Sequence, residues 1–274
     1  MRLQDKKAIV TGGGGEKGIG RAIVRAFAAE GADVCVVGLN EQAGAEAVQE
    51  VTAQGRDAFH VRCDISQIED IDRTVAAAME RWECIDVLVN NAGISIPSPF
   101  LEVTPQTAWQ IWRVNQFGTF FMGQRVARTM AARARAQGWT PADPPVGKIV
   151  NISSLSEEVA TLNLSHYAAT KGAIRMMTRC WALELAPFGV LVNGIGAGFI
   201  ETNIAAEYIR PGDYETVAKS VPLKRCGQPR DIAGPAVFLA SSESDYATGA
   251  TLFVDGGYVM QSGACIQPNV SDIE

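Results

Sequence analysis

The chain has 274 residues, of which 47% are hydrophobic, and this suits a single domain, residues 1–274, with a large core. Its 30 acidic residues outnumber 24 basic ones, which argues against nucleic-acid or anionic-membrane binding. No apolar run approaches the ~18 residues of a membrane-spanning helix, and no signal-peptide pattern precedes the first strand, so we expect a cytoplasmic location. With only two histidines, we expect no metal site.

The first predicted elements are a strand, a glycine-rich loop and a helix. An apolar run predicts a strand over 7–11, and the periodic apolar residues after the loop predict a helix over 18–30. Between them, Gly12, Gly18 and Gly20 let the backbone turn tightly and approach a pyrophosphate at the helix N-terminus. A flexible hairpin-like loop is the alternative interpretation.

Strands and helices then alternate along the rest of the chain. Further strands are predicted over 33–37, 58–62, 86–90, 147–153, 190–194 and 251–254, and helices over 41–54, 67–82, 105–136, 165–186 and 229–240. This alternation implies an α/β fold, a doubly wound parallel sheet of about seven strands flanked by helices.

Polar residues follow two of the predicted strands. Asn90 and Asn91, with the small residues Ala92 and Gly93, end the fourth strand, and Ser154 ends the fifth. Because ligands of open α/β folds bind at the carboxyl edge of the sheet, these residues are candidates for a site.

The most informative pair is a tyrosine and a lysine on the helix over 165–186. Tyr167 and Lys171 are four residues apart, so their side chains share one helix face. A phenol has an ordinary pKa of about 10, and a nearby ammonium favours the ionised form and lowers that value. The pair is therefore suited to moving a proton near neutral pH. An amphipathic helix with a solvated lysine is the alternative.

The order of these motifs resembles the short-chain dehydrogenase/reductase family over about residues 3–258. The resemblance rests on the glycine loop, Asp64, residues 90–93, Asn115, Ser154, Tyr167, Lys171 and the turn at 254–257. It implies a Rossmann-like fold and an NAD(P)-dependent oxidoreductase that transfers a hydride between nicotinamide and a secondary alcohol or ketone. Among members, the chain most resembles sugar or polyol dehydrogenases and 3-oxoacyl reductases.

The resemblance also implies roles for four catalytic residues. Tyr167 would be the proton donor or acceptor, and Lys171 would assist it and bind the nicotinamide ribose hydroxyls. Ser154 would hold the substrate oxygen beside the phenol. Asn115 would support a water-linked proton path from Lys171, the alternative being an ordinary helix-surface amide.

A set of coenzyme-binding residues is implied as well. Asp64 would lie beside the adenine ring, or else cap the next helix, and Ile200 and Thr202 would meet the carboxamide and the phosphates. The complete set is Gly12, Lys17, Gly18, Ile19, Gly20, Gly38, Asp64, Ile65, Asn91, Ala92, Gly93, Tyr167, Lys171, Gly198, Ile200 and Thr202.

Three departures from the family pattern affect these expectations. The loop between Gly12 and Gly18 is two residues longer than usual, which leaves its phosphate contacts open. Ala197 replaces a proline, so we expect a looser backbone on the nicotinamide side. Glu157 stands where glycine is common. It could meet a polyhydroxy or cationic substrate, but we expect a solvated loop charge.

A fourth departure concerns the choice of coenzyme. NAD-preferring members usually have an acidic residue at the position of Gly38, and its absence removes a repulsion against a 2′-phosphate. Lys17 matches a basic residue of NADP-preferring members, whereas Leu39 is not the arginine that many of them carry. We therefore expect NADP(H) to be favoured over NAD(H).

The remaining expectations concern the substrate and partners. Residues 198–225 would cover a medium-sized, partly apolar alcohol or ketone, and the tail over 259–274 would contact a partner subunit. The helices over 105–136 and 165–186 would form the faces of a homo-oligomer, a dimer or tetramer. Imine reduction on the same residues and a non-catalytic NADP-binding sensor or scaffold are the alternative functions.

Overall fold

A computed structural model describes residues 1–202 and 213–260. In this part of the chain, seven parallel strands form one sheet in the order β3-β2-β1-β4-β5-β6-β7. The strands are β1 (Lys7–Thr11), β2 (Asp33–Gly38), β3 (Ala58–Arg62), β4 (Val87–Asn90), β5 (Gly147–Ser154), β6 (Val190–Ala197) and β7 (Thr251–Val254). The predicted doubly wound parallel sheet is confirmed.

Helices cover both faces of this sheet. One face is packed by α1 (Ile19–Ala29), α2 (Glu41–Thr52) and α8 (Pro229–Ala240), and the other by α3 (Ile68–Trp82), α5 (Thr119–Gln137) and α6 (Ser165–Leu185). The described helices also include α4 (Pro105–Trp112) and α7 (Asp213–Ser220). Because both faces are covered, Ile9, Val10 and Leu88 are fully buried, which explains the continuous apolar runs of the strands.

The predicted helix over 105–136 is confirmed as a continuous helical stretch, but it is not α-helical throughout. A π-helical segment, Arg113–Gly118, separates α4 from α5. A Cβ on Gly118 would lie 2.7 Å from the carbonyl oxygen of Ile65, so glycine lets this segment approach the loop after β3. Single-turn π segments occur frequently at functional sites, and the apolar periodicity of the sequence does not reveal one.

Two predictions fall partly or largely outside the described residues. Of the expected substrate-covering segment, 198–225, residues 203–212 lie outside them, and α7 is a helix that the sequence did not predict. Of the expected contact tail, 259–274, residues 261–274 lie outside them.

Candidate active site

The glycine loop and the end of β4 are joined at the carboxyl edge of the sheet. Asn91 Nδ2 donates to the carbonyl oxygens of Thr11 (2.9 Å) and Gly12 (3.3 Å). Thr11 Oγ1 in turn accepts from the backbone N–H groups of Asn91 (2.9 Å) and Ala92 (3.0 Å). A Cβ on Gly20 would lie 2.3 Å from the Gly12 oxygen. The tight turn therefore requires glycine at these positions, and two of the predicted motifs meet here.

The start of α1 offers backbone groups to an anion. Gly18 is the N-cap residue of α1 and has an extended backbone. Because glycine has no side chain to accept a hydrogen bond, the N-cap residue provides no acceptor for the first helical N–H groups, those of Ile19 and Gly20. The Cβ position of Gly15 faces open space. A dinucleotide pyrophosphate fits a glycine cradle of this kind.

A buried arginine, Arg21, holds the lengthened glycine loop. Its Nη1 donates to the carbonyl oxygens of Gly14 (2.7 Å) and Ala43 (2.9 Å), and its Nε donates to Glu50 (2.9 Å). Glu50 also binds Arg25 through both carboxylate oxygens, and the hydrogen bonds from Arg25 and Arg21 hold its pKa at about 2. Sequence analysis missed Arg21, although a charged residue on the apolar face of a helix was an available signal.

The ends of β2 and β3 lie side by side next to this loop. Gly38 pairs in register with Arg62, and its Cβ position has no atom within 4 Å, so there is room for a ligand. The Arg62 side chain is exposed, and its ion-pair partner among the described residues is Glu41, 3.9 Å away. Lys17 is exposed on the glycine loop. Sequence analysis missed Arg62 because its position beside Gly38 depends on the register between two strands.

Asp64 lies at the same edge of the sheet and does not cap the next helix. Its Oδ1 accepts from the backbone N–H of Ser66 (2.9 Å), and the N-cap residue of α3 is Gln67. The backbone N–H of Cys63 donates to the Gly38 oxygen (3.3 Å), which holds Asp64 near the end of β2. The helix-cap alternative is therefore wrong.

Tyr167 and Lys171 lie together on α6, as their spacing predicts. Lys171 Nζ is 5.4 Å from the centroid of the Tyr167 ring and donates to the carbonyl oxygen of Ile152 (3.2 Å) in β5. The lysine is buried, so the solvated-lysine alternative is wrong. Ser154 ends β5, and its Oγ accepts from the backbone N–H of Ser156 (3.2 Å). The structure thus places a buried cation beside a half-buried phenol.

Asn115 is buried and connects the loop after β4 to α6. Its Oδ1 accepts from the Ile94 N–H (2.8 Å), and its Nδ2 donates to the Ile94 oxygen (2.9 Å) and to Thr170 Oγ1 (3.3 Å). A Cβ on Gly93 would lie 3.2 Å from Asn115 Oδ1. The helix-surface alternative for Asn115 is wrong, because the π segment places this amide inside the molecule.

The end of β6 is more regular than expected. Ala197, the last residue of β6, is in register with Ser154 of β5 and Val254 of β7, so the expected looser backbone is not found. A Cβ on Gly198 would lie 2.5 Å from the Cα of Asp255, and glycine is required there. The Ile200 side chain is buried in the core, which leaves its backbone for ligand contacts, and Thr202 is half-buried.

The expected solvated charge at Glu157 is wrong. Both of its carboxylate oxygens are buried, and neither forms a hydrogen bond of normal geometry. The short helical turn Leu155–Glu157 directs the side chain inward, toward Ser153 and Thr251. Burial raises the pKa of the carboxyl above its ordinary value of 4.5, and the opposing effect of these two hydroxyls is smaller.

A raised pKa makes this residue a source of pH-dependent stability. The folded state keeps the Glu157 proton to higher pH than the unfolded state, so its stabilising effect is complete below pH 4.5 and is lost as pH rises through the folded pKa. We expect Glu157→Gln, which stays neutral, to lose less thermal stability than the wild type between about pH 5 and about pH 8. Thermal unfolding at both values measures this, and identical losses in the two proteins would contradict it.

The described residues form neither a cluster of metal-binding side chains nor a membrane-spanning helix. Across 1–202 and 213–260, no group of three or more His, Cys, Asp or Glu side chains is arranged to hold a metal ion. Over the same residues, no helix is both long and apolar enough to cross a membrane.

Comparison with known proteins places this geometry in a family. A family model described as enoyl-(acyl carrier protein) reductase matches residues 12–259. Sorbitol dehydrogenase of Cereibacter sphaeroides is 34% identical, over 94% of this chain and 98% of its own. L-rhamnose 1-dehydrogenase (NAD(P)(+)) of Azotobacter vinelandii is 37% identical, with the same two coverages.

A solved structure agrees with these relatives. Gluconate 5-dehydrogenase of Burkholderia cenocepacia, in complex with NADP and tartrate, superimposes with a TM-score of 0.86. It is 34% identical, and the match covers 95% of this chain and 98% of that one. The chain therefore belongs to the short-chain dehydrogenase/reductase family of NAD(P)-dependent oxidoreductases.

Proposed function

We propose that the protein transfers a hydride between a nicotinamide coenzyme and a secondary alcohol or ketone, with Tyr167 as general acid or base. The observation that carries this proposal is the buried Lys171 ammonium, 5.4 Å from the Tyr167 ring. The pair lies on the helix that follows β5, next to the loops that end β4 and β5. A cation in a site with little water favours the ionised phenol far more than a solvated one does.

The chain's own residues carry the proton transfer. In alcohol oxidation Tyr167 accepts the hydroxyl proton, and in ketone reduction it donates one. Lys171, fixed by the Ile152 oxygen, stabilises the phenolate electrostatically and binds the ribose hydroxyls. Ser154 holds the substrate oxygen beside the phenol. Asn115 fixes Ile94 and Thr170, and so shapes the water-linked proton path that starts at Lys171.

The residues of the sheet edge fit the coenzyme, which supplies the hydride acceptor or donor when bound. The glycines of the loop and of the start of α1 would bind the pyrophosphate, and Asp64 with Ile65 would lie at the adenine end. On the nicotinamide side, Gly198, the Ile200 backbone and Thr202 would provide the contacts. The end of β4 completes this set with Asn91, Ala92 and Gly93.

The substrate class follows from relatives and from the loops near Tyr167. The Ser98 N–H donates to the Asn163 oxygen (2.8 Å), which joins the loop after β4 to the loop before α6, and we propose that these two loops line the substrate pocket. Phe100 and Leu162 on these loops are exposed and apolar, which supports a partly apolar pocket. We propose that the substrate is a medium-sized secondary alcohol. Sugars and polyols are the first candidates, because the names of the relatives above give such compounds as their substrates.

A substrate panel tests this function. We expect the enzyme to reduce NADP⁺ or NAD⁺ with at least one of sorbitol, L-rhamnose, gluconate and a hydrophobic secondary alcohol, or to oxidise the reduced coenzyme with a 3-oxoacyl thioester. The absorbance of the reduced nicotinamide measures both reactions. Turnover confined to a cyclic imine would favour imine reduction. Coenzyme binding without any turnover would favour the sensor or scaffold alternative.

We also propose that the enzyme favours NADP(H) over NAD(H). Arg62 is an exposed cation paired in register with Gly38, where the Cβ position has open space. Lys17 is an exposed cation on the glycine loop, which is hydrogen-bonded to the end of β2 through Gly12 and Gly13. Glu41 is the partner of Arg62 at 3.9 Å, a separation that leaves the guanidinium accessible to a phosphate. Two positive charges around a position without a carboxylate favour a coenzyme with an extra 2′-phosphate.

Substituting the loop cation should separate the two coenzymes. We expect Lys17→Ala to weaken NADPH binding about tenfold, because one charge-assisted contact is lost, and to leave NADH binding nearly unchanged. Titration of reduced-coenzyme fluorescence measures both. Gly38→Asp, for which the structure has room, should weaken NADPH in the same direction by repulsion. Equal losses for both coenzymes in Lys17→Ala would contradict the assignment.

The assembly that we propose is a cytoplasmic homo-oligomer, a dimer or tetramer. An exposed stripe on α6, formed by Met176, Cys180 and Leu183, has the spacing of one helix face. A second copy of the chain would cover this stripe, because exposed apolar side chains in a row mark contact surfaces. Sedimentation at micromolar concentration should give a mass of at least two chains.

A further inference from the structure

His166, the residue before Tyr167, is buried and contacts the loop on the substrate side. Its side chain is 5% exposed, and its Nε2 lies 2.8 Å from the carbonyl oxygen of Ile96. A carbonyl oxygen accepts only, so the proton is on Nε2 and the ring donates it. Its Nδ1 is buried without a hydrogen-bond partner.

Three elements meet at this histidine. Trp112 Nε1, from α4, donates to the backbone oxygen of His166 (3.1 Å). The Ile96 oxygen belongs to the loop after β4, and His166 itself is in the first turn of α6. Ile94 lies two residues before Ile96 in the same loop, and Asn115 of the π segment binds both its N–H and its carbonyl oxygen. The loop is therefore attached at Ile94 to the π segment and at Ile96 to the helix that carries Tyr167.

We propose that His166 is a positioning residue that sets the distance between the substrate loop, residues 94–98, and Tyr167. The inference rests on the proposed function, because it concerns where the alcohol or ketone lies relative to the phenol. Since His166 and Tyr167 are consecutive, a loop held by the imidazole keeps a fixed register with the phenol. Loss of the Nε2–H donor frees the loop at Ile96 and leaves intact its attachments at Ile94 and at Ser98, whose N–H donates to the Asn163 oxygen.

Two substitutions of similar size separate positioning from folding. Glutamine places its amide nitrogen near the position of Nε2 and can donate to the Ile96 oxygen, whereas the shorter asparagine side chain places its nitrogen near Nδ1. We expect His166→Asn to raise KM for the alcohol about tenfold with a smaller change in kcat, and His166→Gln to recover most of the loss. Coenzyme affinity, read by fluorescence, should be the same in all three proteins.

Several outcomes would overturn the proposal. A purely structural role predicts that both variants lose thermal stability and active fraction with an unchanged KM. Equal KM values for Asn and Gln variants would show that the Nε2–H donor is not what matters. If the wild type binds coenzyme but turns over no substrate, the proposed function itself is wrong. If the wild type is active and His166→Asn has the same KM and kcat, only the positioning role of His166 is wrong.

Discussion

Replacing Tyr167 with phenylalanine should lower kcat by about 10²–10⁴, the usual contribution of a positioned acid or base. The substitution removes one oxygen and keeps the ring beside Lys171, so we expect the dissociation constant of the coenzyme to change little. Steady-state kinetics and fluorescence titration of the same preparation measure the two quantities. A variant that loses coenzyme affinity and turnover together would contradict the assigned role.

A second tyrosine provides a matched control for this experiment. Tyr246 is fully exposed, so Tyr246→Phe makes the same chemical change away from the site and should leave kcat and coenzyme affinity unchanged. If Tyr167→Phe behaves like Tyr246→Phe, the phenol is not the acid or base, and the sensor or scaffold alternative becomes the better account.

Removing the buried guanidinium of Arg21 should have the largest effect on stability. Arg21→Met removes the side-chain donor from the oxygens of Gly14 and Ala43 and removes one of two cations from Glu50. We expect a loss of about 3 kcal/mol, the lower end for a broken buried pair, because Glu50 is partly exposed and keeps Arg25. For a domain of this size, this corresponds to a fall in Tm of about 6–12 °C.

The same substitution should weaken both coenzymes about equally. In the proposed assignment, Arg21 holds the glycine loop that binds the pyrophosphate common to NADPH and NADH, whereas Lys17 is assigned to the 2′-phosphate. Arg25→Met is the matched control: it removes a partly exposed partner of the same Glu50 but no bond to the loop. It should cost at most about 1 kcal/mol and leave coenzyme binding unchanged. Equal effects from Arg21→Met and Arg25→Met would show that the hydrogen bonds from Arg21 to the glycine loop contribute neither to stability nor to coenzyme binding.

Features that depend on local periodicity were predictable from the sequence. Apolar runs indicated all seven strands, and the spacing of Tyr167 and Lys171 indicated a shared helix face. Glycines between a strand and a helix indicated a tight turn, and the structure confirms it by the close approach of Gly20 to Gly12. These features can be predicted because each sequence pattern lies within one helix or one strand–turn–helix unit.

Features that depend on tertiary contacts were not predictable. The burial of Glu157 requires Ser153 of β5 and Thr251 of β7, the two strands on either side of β6, to lie near one another although they are far apart in the sequence. The position of Arg62 beside Gly38 depends on strand register, and the π-helical segment at Arg113–Gly118 brings Gly118 against Ile65. In each case the contact joins residues that are distant in the sequence, and the residue types alone do not indicate it.

The most direct test of the central claim is to follow the hydride itself. The enzyme is supplied with oxidised coenzyme and with the best alcohol from the panel, carrying deuterium on its hydroxyl-bearing carbon, and the reduced coenzyme is analysed by mass spectrometry. The account predicts one deuterium in the reduced nicotinamide for each alcohol oxidised, and loss of this transfer in Tyr167→Phe. Alcohol oxidation that releases the deuterium to water, or equal transfer in both proteins, would contradict it.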